Sequence, residues 1–375
     1  MIYIFTVLLL LSLMFPVILS PHIVLSFSFL GVIFLLYKKG LLMLKSLFFI
    51  HLCWVVFFVL FGINYFYNSS PDFFAEFLLF VCLAASMYIG IFCGMNFRKN
   101  LLYIYVVWVY IILIQLLKNN TLNQILNERW TITTGWLYSN AVGAVLVFSI
   151  PLLMLCFYLT KTKILKIFIL LGILSSVVTL FLLSSRGSLL SLVVIFTFIF
   201  FMKKKKIKNI ILSIPLLLML FTVISKVDII WKSVELTINR VASSGLNGRE
   251  ILWEEGIQSI KDNPLMGIGA RNGLSIDLHN PLLHIATHYG LLALVPFTLL
   301  MIAPFFYLKL IKFKNTYTIF IFATYLAIIF QSSIEAILTP LITGSIGWYF
   351  IGLTFGYLIN NYPAKDWNLN KQFKV

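Results

Sequence analysis

Long apolar stretches, each parted from the next by a short basic or polar break, run through almost the whole chain and constrain its fold more than any other feature. A bilayer's hydrocarbon core takes about 20 apolar residues per helix, with shorter segments tolerated. Twelve stretches qualify, at about 2–19, 22–37, 46–66, 73–95, 101–117, 140–160, 164–183, 187–202, 209–225, 281–307, 317–335 and 344–361. Composition closes off the alternatives. With 61% apolar and 11% charged residues, the chain lies far from soluble domains, which hold about 45–50% and about 25%. A soluble core has too little interior for that excess. The same figures exclude a disordered chain, a collagen helix and a disulfide scaffold. The expected fold class is all-α, a polytopic membrane protein with about 12 transmembrane helices.

The formal net charge is +16, and its placement matters more than its size. Basic residues sit in short runs between apolar stretches: Lys38 and Lys39, Arg98 and Lys99, Lys161 with Lys163 and Lys166, Lys203 to Lys206, and Lys309 with Lys312 and Lys314. Such runs mark cytoplasmic loops and anchor the helices beside them, so no nucleic-acid partner is expected. Counting from an inside start puts 19 of the 28 basic residues inside and 11 of the 12 acids outside or at outer helix ends. Both termini are therefore expected in the cytoplasm. The first twenty residues lack the basic region and small-residue cleavage site of a signal peptide and read as a retained first span. Cys53, Cys82, Cys93 and Cys156 fall within apolar segments and read as packing residues.

Two outside segments are long, about 118–139 and 226–280. The second holds DIIWKSVELTINR and REILWEEGIQSIK, both with apolar residues at helical spacing, as expected of short amphipathic helices at a membrane surface. Pro264 ends the second of them, and PLMGIGARNG follows as a Gly-rich turn. Its glycines have the wrong spacing for a dinucleotide fingerprint, and no strand precedes them. Long loops that carry their own structure are usually functional, so the chemistry is expected outside.

Arg186, in SSRGS, lies between two spans at their outer ends. A snorkelling anchor is the plain reading, yet positive charge is disfavoured on this side. The helix that begins there also points its N-terminal amides outward, which with the guanidinium makes a site for phosphate. Arg249 opens a helix, where it opposes the macrodipole; pairing with Glu250 or Glu254 is its plain reading. Arg240 and Arg271 are weaker candidates of the same kind. In His279-Asn280-Pro281, Asn280 reads as an N-cap and Pro281 as the first helical residue. His279 then lies just outside the cap, where the helix N-terminus favours the neutral imidazole that a general base needs. His284 and His288, four apart, read as packing or polar lining; zinc would need a third ligand. Glu76 and Glu335 enter outer helix ends, where an acid is costly unless paired, and one of them is expected to orient His279 or an arginine. No Asp/Glu-x-Asp/Glu motif is present to hold a divalent metal, so no metal or cofactor is expected, and arginine has to meet any phosphate charge.

The chain resembles the O-antigen ligase and polymerase superfamily of bacterial envelope proteins. The residues that carry the likeness run in order: Asn140 and Gly143 as an Asn-x-x-Gly helix start, SSRGSLLSLVV, NGREILWEEGIQSIKDNPLMGIG, and HNPLLHIATHYGLLALVPF. They divide the chain into residues 1–139, with helices 1–5 and the first outer loop; 140–310, with the ligase/polymerase motifs, helices 6–10 and the outer loop 226–280; and 311–375, with two helices and a cytoplasmic tail. The resemblance implies an inverting, metal-independent glycosyltransferase of the bacterial inner membrane. Its donor would be an undecaprenyl-pyrophosphate-linked glycan, received at the outer face, and its acceptor a sugar hydroxyl. By position Arg186 and Arg249 match arginines associated with the pyrophosphate, His279 matches the catalytic histidine, and Asn280 the residue after it. Arg271, Arg240, Glu335 and Asn280 are weaker candidates for contact with pyrophosphate or glycan.

Within that superfamily two products are open. A ligase transfers finished polysaccharide onto lipid A–core, the reading favoured here, and a polymerase joins lipid-linked repeat units. A transporter or lipid-linked-sugar flippase is the reading from another class. It would place ionisable or broken-helix sites near the bilayer midplane, whereas the mid-span regions here are nearly free of ionisable residues.

Overall fold

The computed structural model describes residues 41–69, 73–121, 124, 132–135, 137–183, 185–202, 249–269, 278–308, 311, 313 and 315–362. Ten α-helices run through them: α1 Leu41–Asn68, α2 Phe73–Met95, α3 Lys99–Asn119, α4 Ser139–Leu159, α5 Lys163–Leu183, α6 Arg186–Met202, α7 Arg249–Asp262, α8 Pro281–Ile302, α9 Thr316–Ser332 and α10 Leu341–Asn361. Seven helical segments are long and apolar enough to cross a membrane, with Gly187–Met202 and Thr316–Ser332 as shorter apolar helices. The spans expected at 2–19, 22–37 and 209–225, and the amphipathic helix expected in DIIWKSVELTINR, lie outside the described residues. The other amphipathic segment is α7.

Two of the expected spans differ from the helices found. The stretch 281–307 is a candidate span with the expected bounds, Pro281–Tyr307, but not one regular helix: α8 breaks at Gly290, which has φ 84° and ψ 169°, and a 3-10 turn, Ala303–Tyr307, follows its end. The stretch 317–335 stops being α-helical at Ser332, so Glu335 sits in the connection to α10 rather than on a helix.

The interior is built on α2 and α10. Gly90 and Gly94 of one face Tyr349 O and Leu353 O of the other, and Gly352 and Gly356 face Met87 O and Ile91 O. A Cβ at any of the four would overlap a backbone carbonyl of the opposing helix. Lipid is as apolar as the side chains, so association in a membrane depends on such close backbone packing. The central window of α10 is 94% buried and that of α2 is 78%, against 28% for α5 at the periphery. Polar ties complete the core: Tyr105 and Tyr349 hydroxyls meet at 2.6 Å, and Trp348 Nε1 donates to Leu338 O at 3.1 Å. All four cysteines are buried. Around this pair α9 packs on α4 and α6, α8 on α1, and α7 on α8.

One end of the bundle brings several polar side chains together. Close to the start of α4, a Cβ on Gly143 would meet Ser185 and Ser188 at the start of α6. Gly187 in turn lies against Gln331 and Ile334 at the end of α9. The chain segments that carry Asn140, Arg186 and Glu335 are thereby neighbours.

Candidate active site

The start of α8 fixes the histidine. Asn280 has extended backbone angles, and its Oδ1 accepts from Leu282 N at 2.9 Å and Leu283 N at 3.1 Å, with Pro281 occupying the first helical position. A short acceptor ahead of Pro is what the local sequence supplies for two otherwise orphan amides. The Asn280 carbonyl is committed to this cap, and its Nδ2 donates to Ser333 O at 3.4 Å. His279, just before it, has φ +52°, a left-handed conformation that costs an L-residue with a Cβ on the order of 1–2 kcal/mol. The surroundings hold it there: the preceding Leu278 is fully buried against Gly256 of α7, and its carbonyl accepts from Trp253 Nε1 at 2.8 Å.

Those constraints aim His279 at Glu335. His279 Nδ1 lies 3.3 Å from Glu335 Oε2, and Arg249 Nη2 lies 2.6 Å from Oε1. Arg249 also donates from Nη1 to Ile334 O at 2.7 Å, and Asn140 Nδ2 donates to Glu335 Oε1 at 3.3 Å. Glu335 is 8% exposed. Burial alone would raise its pKa, but the His279 contact and the Arg249 charge outweigh that and hold the carboxyl below its ordinary value. Three other chain segments thus meet on one carboxylate.

The plain reading of Arg249, a local pair with Glu250 or Glu254, is corrected: its guanidinium reaches 86 positions along the chain. The acids Glu76 and Glu335 separate cleanly. Glu335 takes the histidine and the arginine, while Glu76 accepts from the Tyr289 hydroxyl. Arg186 opens α6, with Ser185 Oγ 2.9 Å from Ser188 Oγ beside it; its own side chain lies outside the described set. Arg240 and Arg271 are outside the described residues altogether.

Sequence reasoning missed how the Gly-rich turn docks. At the Gly290 break α8 leaves carbonyls without helical partners, and the turn supplies them: Ile268 N donates to Thr287 O and Gly269 N to His288 O, both at 2.9 Å. Leu291 N donates back to Pro264 O at 2.9 Å. Asn64 of α1 donates to Met266 O and, at 3.1 Å, to His288 O, and Asn68 reaches Gly267 O at 3.4 Å. The His284 and His288 rings are 4.5 Å apart, and His288 Nδ1 lies 3.0 Å from Gly269 O, which engages that residue in the same docking. A polar pair such as Asn64 and Asn68 at the end of an apolar helix was the available signal.

Residues 171–298 match the family model described as O-antigen ligase, a span that contains Arg186, Arg249 and His279 and supports the O-antigen ligase and polymerase superfamily. No curated protein matches the chain.

Proposed function

We propose that the chain is an inverting, metal-independent glycosyltransferase that takes a glycan from undecaprenyl pyrophosphate and passes it to a sugar hydroxyl at the outer face of the inner membrane. The observation that carries this reading is the convergence of Arg249 and His279 on the two oxygens of Glu335. A cation suited to a diphosphate and an imidazole suited to a hydroxyl proton stand one carboxylate apart, and the family match to residues 171–298 supports the reaction class.

The roles follow from the atoms. His279 Nδ1 faces Glu335, so Nε2 is the nitrogen that takes a proton. The acceptor oxygen attacks the anomeric carbon as its proton passes to Nε2. On the opposite face the bond from that carbon to the diphosphate oxygen breaks, and the electron pair leaves with the diphosphate. Arg249 and Arg186 meet the charge that develops there. The products are the glycoside with inverted configuration and undecaprenyl diphosphate. Arginine fills the role that a divalent cation plays elsewhere, in keeping with a sequence that has no Asp/Glu-x-Asp/Glu motif.

The break in α8 raises the transporter reading again, because discontinuous helices form cargo sites there. Here the chain's own turn meets the Thr287 and His288 carbonyls, which favours a scaffold for His279 over a translocation site. We favour the ligase-type product, transfer onto lipid A–core. The test is mass analysis of products from a defined lipid-linked donor in proteoliposomes, with either lipid A–core or a second lipid-linked unit as acceptor. Wild-type protein forms a glycoside and His279→Ala does not. Donor that crosses the bilayer without a covalent product refutes the reading, and oligomer growth in the absence of lipid A–core moves it to polymerase.

A further inference from the structure

Glu335 faces two groups that the proposed reaction uses at different moments. Arg249 holds Oε1 at 2.6 Å, whereas His279 Nδ1 stands 3.3 Å from Oε2. The first contact is as short as a charge-assisted bond becomes, and the second is longer than the ~2.7–2.9 Å such pairs reach. Asn140 adds a donor at 3.3 Å on Oε1. The carboxylate is buried, so its charge is balanced by these fixed neighbours rather than by water.

We propose that Glu335 is a positioning residue whose carboxylate is handed from Arg249 to His279 when the diphosphate donor binds. The proposal rests on the reading above, in which Arg249 meets the diphosphate and His279 takes the acceptor's proton. Diphosphate oxygens compete with Oε1 for the same guanidinium. Arg249 can turn toward them while Nη1 keeps its bond to Ile334 O. Glu335 then loses its strongest counter-ion, and the neighbour best able to replace it is His279. The carboxylate closes on Nδ1–H, fixes the ring with Nε2 toward the acceptor, and stabilises the imidazolium as it forms. No covalent bond changes in the handover; the acceptor proton moves afterwards, to Nε2. Acceptor activation therefore waits for donor capture.

The test uses the full chain in nanodiscs. Binding of inorganic pyrophosphate is measured by calorimetry, and kcat is measured with a lipid-linked donor, in wild type, Glu335→Gln, Glu335→Asp and Arg249→Ala. Glu335→Gln removes the competing charge, so it binds pyrophosphate several-fold more tightly while kcat falls by about tenfold or more. Glu335→Asp keeps the charge one methylene further back; it loses kcat without gaining affinity, and it decides the matter if the Gln variant does not fold. A purely structural role weakens affinity and turnover together, and that result in either folded variant overturns the proposal, as does wild-type kcat in Glu335→Gln. The underlying reading fails separately: Arg249→Ala that binds pyrophosphate as wild type does removes Arg249 from the donor site, whatever Glu335 does.

Discussion

Gly290→Ala tests whether the docked turn is what holds the histidine segment in place. At φ 84° and ψ 169° the residue occupies a region essentially restricted to glycine, and an alanine there carries on the order of 1–3 kcal/mol of strain. Its Cβ would also overlap the Leu265 backbone carbonyl, an overpacking that adds about 1–3 kcal/mol. Against this stand three backbone hydrogen bonds between turn and helix, Ile268 N to Thr287 O, Gly269 N to His288 O and Leu291 N to Pro264 O. At about 0.5–1.5 kcal/mol each, they contribute on the order of 2–4 kcal/mol, and the Asn64, Asn68 and His288 contacts to the turn bring the total to about the size of the strain. The turn is therefore undocked for a large share of the time in the variant while the bundle, held by α2 and α10, stays folded. Limited proteolysis should cut near residues 264–269 in the variant and not in wild type, with nearly the same melting temperature and a transfer rate down by about tenfold or more. Gly62→Ala is the control: a Cβ there meets nothing within 4 Å, and α1 tolerates it or gains up to about 1 kcal/mol. Wild-type protection and transfer in Gly290→Ala would falsify the claim that docking positions the site.

Three further outcomes follow from other parts of the molecule. Gly352→Leu puts a branched side chain into the Met87 carbonyl and abolishes the folded, monodisperse protein in detergent, whereas Gly62→Leu does not. Asn280→Ala removes the cap and costs about 1 kcal/mol in thermal unfolding, while Asn280→Asp keeps both cap and transfer; transfer lost in the Asp variant at unchanged stability would instead give Asn280 a role at the substrate. Glu335 is held below its ordinary value of 4.5, so the folded state binds its proton less readily than the unfolded chain. Its stabilising contribution is then complete above pH 4.5 and is lost as pH falls below it. Melting curves of wild type and Glu335→Gln should converge on acidification below that value; a gap that widens there would reverse the sign.

Much of the bundle could be read from spacing alone, because a span of apolar residues is a local property. The helices found begin and end close to most of the expected bounds, those of 281–307 and 317–335 apart, and the start of α8 follows from Asn280 and Pro281 alone. Glu335 was legible as an acid too costly to leave unpaired at a helix end, with His279 or an arginine as its partner; which acid and which arginine were not, because the partners lie 56 and 86 positions away. The break in α8 was hidden for a different reason. Gly290 stands in a run of apolar residues that hydropathy treats as continuous, and the groups that repair it come from Pro264 to Gly269 and from Asn64, more than two hundred positions upstream of His288. Only the folded chain brings the breach and its repair together.

The interlocked backbones of α2 and α10 also set a timetable for biogenesis. Roughly 250 residues separate the two helices, and at ribosomal speeds of about 5–20 residues per second the second arrives on the order of tens of seconds after the first. For that interval the grooved face of Gly90 and Gly94 has lipid or a helper protein against it in place of its mate. Assembly therefore closes late, and the keel of the bundle is laid by the last of the described helices to leave the ribosome.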